Sequence, residues 1–159
     1  MFQAKYNPAA PSTPFQSTFY VNTYDKYENR DNIQYKPIIT FTSQMTGNSA
    51  SLVPILYSYT NKDRYVKIDI AIATIGSGGS GFVNLGNTDF PTGFYDMTIR
   101  ENTTNGLPSA ASIATRPIVF TGLMNLIAGN NSGGETPSVI YTEYTTNDSD
   151  TESVYITND

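Results

Sequence analysis

A chain of 159 residues with 38% hydrophobic content has the length of one domain and enough apolar residues to build a real core. Its net charge of −5, with only 14% charged residues and the basic ones scattered, leaves no electrostatic footprint for a phosphate backbone, so no nucleic acid is expected as partner. Cysteine, histidine and tryptophan are absent, which excludes disulfides and thiolate chemistry and removes the commonest general acid–base group and transition-metal ligand.

Residues 1–32 have a character of their own. In "NPAAPSTP", Pro8, Pro11 and Pro14 bias the backbone toward extended, polyproline-like geometry. The opening carries neither a cationic nor an apolar signal segment, and no run anywhere approaches membrane-spanning length, so neither export nor a membrane partner is expected. "FQSTFYVNTYDKYENRDN" then interleaves Phe15, Phe19, Tyr20, Tyr24 and Tyr27 with polar residues. This is either an ordered first strand after a leader or an arm whose aromatics lie on a surface, supplied by the domain itself or by a neighbouring subunit. The expectation carried forward is an extended N-terminal arm over 1–32, with those five aromatics as its partner-binding residues, and a folded domain over 33–159.

From Tyr35 onward the period is two. "IITFTS" sets Ile39 and Phe41 against Thr40 and Thr42, and "LVPILYSYT" alternates Val53, Ile55, Tyr57 and Tyr59, with Pro54 marking an edge or a bulge. In "RYVKIDIAIATI", Val66, Ile68, Ile70 and Ile72 point one way and Lys67, Asp69, Ala71 and Ala73 the other, a strand with one dry face. The glycine stretch that follows satisfies G-x-G-x-x-G at Gly76, Gly78 and Gly81. A dinucleotide loop needs a helix to start there, and Phe82 to Pro91 has no helical period, so the stretch reads as a loop joining two antiparallel strands.

"GFYDMTIRE" buries Tyr95, Met97 and Ile99 and exposes Asp96, Thr98 and Arg100. "SAASIATRPIVFTGLMNLIAG" holds room for a helical turn and then one apolar strand or two, and "VIYTEYTT" with "SVYIT" reads as a closing hairpin around "NDSDTE". Many short strands punctuated by Gly, Pro, Asn and Asp, with no long amphipathic helix, predict an all-β fold, an antiparallel β-sandwich or jelly-roll-like domain.

Chemistry is harder to place. Without histidine a Ser-His-Asp triad is impossible, a Ser-Lys pair has no local signature, and the acidic residues fall in turns or on outward strand positions, so the chain is expected not to be an enzyme and to need no cofactor. Asp148, Asp150 and Glu152 crowd together but lack the spacing and glycine of a calcium loop, and read as a solvated hairpin tip. Twelve tyrosines could build a sugar platform, though most fit strand alternation. A neutral polar β-domain with aromatic contact area suits a protein whose work is to join an assembly.

The order "YKPIITFTSQMTGNSASLVPILYSYTNKDRYVKIDIAI" followed by "TGFYDMTIREN" resembles small virion structural proteins of tailed bacteriophages, marine ones in particular. The shared features are Arg64-Tyr65 leading a strand, and Gly93-Phe94-Tyr95 running through Ile99-Arg100-Glu101; Arg100 stands where the pattern favours an aromatic or neutral residue. The resemblance covers about Tyr35 to Asn105. It implies a non-enzymatic component of the virion, made in the host cytoplasm, with the major capsid protein or other virion proteins as partners and a homo-oligomer or lattice-bound copies as its state. A capsid decoration or cement protein is the first expectation. A tail or head–tail junction protein is the second, and a glycan-binding module the third.

Overall fold

The computed structural model describes residues 1–22, 26–58, 65–75 and 81–129. Among these residues the two-residue alternation becomes nine strands in two sheets, with one short α-helix and a 3-10 turn over Arg30–Gln34. The first sheet has five strands in the spatial order β1 (Phe2–Tyr6), β9 (Ile118–Ala128), β8 (Gly93–Arg100), β3 (Ile38–Ser43) and β4 (Ser49–Leu52). The second runs β2 (Phe15–Val21), β6 (Val66–Ala73), β5 (Leu56–Ser58), with β7 (Phe82–Asn84) also paired to β6. Helix α1 (Ala110–Ala114) is the helical turn expected before β9, started by Ser109, whose hydroxyl accepts from the backbone N–H of Ser112.

The chain is therefore β-rich as expected, but its sheets are mixed, not purely antiparallel. β1 runs parallel to β9, and β7 runs parallel to β6. The second pairing also corrects the glycine stretch: a chain that leaves β6 and returns parallel to it cannot be a hairpin. No helix follows Gly81 either, because β7 begins at Phe82.

The N-terminal segment is corrected as well. Residues 2–6 and 15–21 supply one strand to each sheet, and Ala4, Tyr6, Phe19 and Val21 join the core. The physical reason is the alternation within "FQSTFYV", which leaves Ser17, Phe19 and Val21 on one face of β2, opposite Ile70, Ile68 and Val66 of β6. Rings from the two sheets meet where Phe2 packs edge-on against Phe19 at 5.3 Å between centroids.

"LVPILYS" is not one strand. Leu52 ends β4 in one sheet and Leu56 begins β5 in the other, with Val53-Pro54 making the crossing. Proline has no N–H to give a ladder, so it stands where the chain changes sheets. β6 keeps Val66, Ile68, Ile70 and Ile72 inward, but Asp69, Ala71 and Ala73 are buried too. As the central strand of its sheet, flanked by β2 on one side and β5 and β7 on the other, it has neighbours that cover its second face. The predicted exposure of Asp69 is thus wrong, whereas β8 buries Tyr95, Met97 and Ile99 and leaves Asp96 exposed as expected.

Candidate interaction face

The outward sides of the two sheets differ in chemistry. On the five-strand sheet the register aligns Ser51, Thr40, Thr98 and Thr121 in a row across β4, β3, β8 and β9. Thr40 and Ser51 share a hydrogen bond of 2.8 Å, and so do Thr42 and Ser49. These hydroxyls satisfy one another and present a neutral, hydrated surface.

On the other sheet two outward positions carry exposed rings, set among the polar side chains of Gln16, Thr18 and Lys67. Tyr20 of β2 is 51% exposed, and Phe82 of β7 is 39% exposed. Tyr65, 62% exposed, immediately precedes β6, and Ile75 is exposed in the bend that follows it. Ile55, 40% exposed, lies against Gly81 just before β5.

A seam in the sheet positions Ile55 and Phe82. β5 lies antiparallel to β6 opposite Lys67 to Asp69, and β7 lies parallel opposite Ala71 to Ala73, so the two short strands meet end to end along one edge. Ile55 N–H donates to the Asp69 carbonyl at 2.8 Å, and Ala71 N–H donates to the Gly81 carbonyl at 2.9 Å. Gly81 sits at the junction with φ +86°, where an added Cβ would lie 2.3 Å from Ile55 Cγ1 and 3.0 Å from the Ile55 backbone. Only glycine fits. This glycine of the G-x-G-x-x-G pattern therefore serves strand packing; Gly76 and Gly78 lie outside the described residues.

Within this face Asp69 is a buried polar anchor, 3% exposed. Thr18 Oγ1 donates to its Oδ1 at 2.7 Å, and Lys67 Nζ stands 3.4 Å from its Oδ2. The carboxylate thus ties β2 to β6 beneath the exposed aromatics and is charge-balanced there.

A second polar cluster holds the linker between β2 and β3. Glu101, 2% exposed, accepts from the backbone N–H groups of Glu28 and Asn29 through Oε1 and from Asn32 Nδ2 through Oε2 at 2.9 Å. Tyr27 lies buried beside it, its hydroxyl 3.3 Å from that of Tyr57. Burial pushes the Tyr27 phenol far above its ordinary value, and Tyr57 and then Glu101 push it the same way. Asn102, next in sequence, donates to the carbonyls of Lys36 and Gly106.

The aromatics expected to bind a partner are thus dispersed. Phe19 is in the core, Phe15 is half-buried on the inward side of β2, and Tyr27 is buried against the linker cluster. Tyr20 alone points outward, while Tyr24 lies outside the described residues, as do the closing hairpin and Asp148, Asp150 and Glu152. Alternation marks the dry side of a strand and gives no sign that Tyr65 or Phe82 stands exposed, and it groups Ile55 with Val53, although the structure buries Val53 and leaves Ile55 40% exposed. Glu101 had a signal: it extends the inward series Tyr95, Met97, Ile99 by one more step of two.

Among the described residues no group of three or more histidine, cysteine, aspartate or glutamate side chains could hold a metal ion, and no helix is long and apolar enough to cross a membrane. Comparison with protein-family models, curated proteins and solved structures gives no match to this chain.

Proposed function

We propose that this chain is a non-enzymatic structural protein of a bacteriophage virion, a decoration or cement protein that binds the outside of the shell and bridges neighbouring capsid subunits. In this reading the two sheets form a β-sandwich, supported by the single apolar cluster to which both contribute. The observation that carries the proposal is the sheet of β2, β6, β5 and β7, where the rings of Tyr20 and Phe82 are exposed on the outward side and Ile55, Tyr65 and Ile75 are exposed in the residues flanking its strands. Large apolar residues scattered singly over a surface need no explanation, but several exposed on and around one sheet do. Tyrosine and phenylalanine supply wide contact area with few rotatable bonds, and covering them returns about 25 cal/mol per Å². Repeated over a lattice, a weak contact of this kind is sufficient. The resemblance of Tyr35 to Asn105 to virion proteins supplies the kind of partner.

The test is the number of copies of the chain per purified particle, by quantitative mass spectrometry against the major shell protein. A fixed high ratio supports decoration. A handful of copies replaces it with a tail or head–tail junction role, and absence from particles rejects the virion reading.

One observation favours a second reading, a glycan-binding module. Phe94 on the polar sheet is 46% exposed, with Asn125 opposite it and Gln3 next in the row. Asp96 stands two residues along the same strand and accepts from Gln44 Nε2 at 2.9 Å. A ring flanked by amides and a carboxylate is suited to stacking and hydrogen bonding on a sugar. Loss of glycan-array binding in Phe94→Ala, with the fold retained, would establish it; no binding by the parent chain rejects it.

A further inference from the structure

The described strands end in sheet edges, and their protection is uneven. β1 carries Lys5, a charge that discourages a further strand. β4 has four residues and runs into Val53-Pro54. The edge made by β5 and β7 is split into two pieces of three residues running in opposite directions, so it cannot template one continuous partner. β2 has none of these devices. It is seven residues long, "FQSTFYV", with no charge, proline, glycine or bulge, and among the described residues it pairs with β6 alone.

The same strand is self-complementary. Laid antiparallel against a second β2 with all seven residues paired, the register centres on Thr18. Phe15 then faces the second copy's Val21, Gln16 faces its Tyr20, Ser17 its Phe19, and Thr18 its own symmetry mate. On the inward side Phe15 meets Val21 and Phe19 meets Ser17, and on the outward side Gln16 meets Tyr20 and Thr18 its mate. No like charges oppose one another, and no residue lacks an N–H for the ladder.

We propose that β2 is the docking edge for a second copy of this chain, the two joined strand to strand about a two-fold axis through Thr18. Such an isologous contact closes on itself, so it makes a dimer and not a fibre. The two β2–β6–β5 sheets become one continuous sheet, with Tyr20 of each copy brought near the axis. The pairing stands independently of what the outward face binds.

The test uses the full chain, with the oligomeric state followed by analytical ultracentrifugation across a dilution series. The parent should dimerise. Gln16→Glu with Tyr20→Glu puts like charges opposite each other across the axis while leaving the core untouched, and should weaken the dimer by about tenfold or more. Gln16→Lys with Tyr20→Lys should do the same, and mixing the acidic and basic variants should restore pairing as a heterodimer. Because the chain has no cysteine, Thr18→Cys supplies a unique thiol facing its own mate. It should form a covalent dimer on oxidation, whereas Thr42→Cys, on the outward side of an interior strand of the other sheet, should not. A folded parent that stays monomeric throughout the series overturns the proposal. So does a dimer that both charge variants leave intact, or one that Thr18→Cys fails to cross-link.

Discussion

The two sheets share one core and present opposite outer faces. The five-strand face is a set of serine and threonine rows whose hydroxyls bond to each other across strands. The four-strand face carries the exposed rings of Tyr20 and Phe82 beside Gln16 and Lys67, with Asp69 turned under and bonded to Thr18 and Lys67. The difference shows that exposure has two meanings in this molecule. Hydroxyls on the first face are exposed because water satisfies what their neighbours do not, whereas rings on the second face are exposed at a free-energy cost that a covering surface would remove.

The sharpest way to break the comparison is at the glycines. Gly81→Ala should destabilise the fold by about 2–4 kcal/mol, because the left-handed backbone strain adds to a clash with the Ile55 backbone that no rotamer change relieves. Gly47, in the turn between β3 and β4, also has positive φ, but an added Cβ there meets nothing within 4 Å. Gly47→Ala should therefore cost only about 1 kcal/mol. Urea denaturation of the pair checks this, and equal losses would remove the seam as an organising feature.

Next in size is the effect on assembly. In the proposed decoration role, Tyr20→Ala, Tyr65→Ala and Phe82→Ala combined should lower retention on particles by about a hundredfold, equivalent to about 2.8 kcal/mol, with secondary structure retained. Equal loss from Thr40→Ala with Thr98→Ala would move the binding face to the other sheet.

Two buried tyrosines, Tyr95 in the five-strand sheet and Tyr27 in the linker after β2, report on the fold. Tyr95 of β8 is fully buried, and desolvation pushes its phenol up to about 12, against the lowering effect of a hydrogen bond with Ser43. Its neutral form is favoured in the fold, so the unfolded chain releases this proton first, near pH 10. The stability it contributes is whole below pH 10 and is lost as pH rises through 12, by roughly 2–3 kcal/mol. Tyr27, beside Tyr57 of the other sheet, is shifted in the same direction. Denaturation against pH should show stability falling through this window, with a shallower fall in Tyr95→Phe. A fall that begins well below pH 10 would point to other groups.

The smallest effects belong to the hydroxyl face. Thr98→Val and Thr121→Val should each change stability by less than about 0.5 kcal/mol, since valine suits a strand and the lost groups have water as an alternative. Thr18→Val, on the opposite face, should cost about 1–2 kcal/mol, because it leaves Asp69 with one fewer donor in a buried place.

Strand alternation made most of this legible beforehand. The inward residues of β3, β6 and β8, the helical turn before β9 and the absence of a helix after the glycines all follow from periodicity and composition. What periodicity cannot supply is the neighbour. Asp69 looked exposed because a strand read alone has two sides, and only the strands beside β6 decide whether the second is covered. Tyr20 and Phe19 are adjacent in sequence and aromatic alike, yet they point to opposite faces of one strand, and no local feature ranks one as core and the other as contact.

By itself, then, the sequence determined that the chain is β-rich, that it has neither thiol nor imidazole chemistry, and which residues of each strand share a side, because these follow from composition and the two-residue repeat of extended backbone. Only the tertiary structure decided that residues 2–6 and 15–21 give one strand to each sheet, that β7 returns parallel to β6, and that one outer face carries paired hydroxyls and the other the exposed rings of Tyr20 and Phe82. Strand order and direction are set by non-local packing, in which segments far apart in sequence compete to cover the same apolar surface.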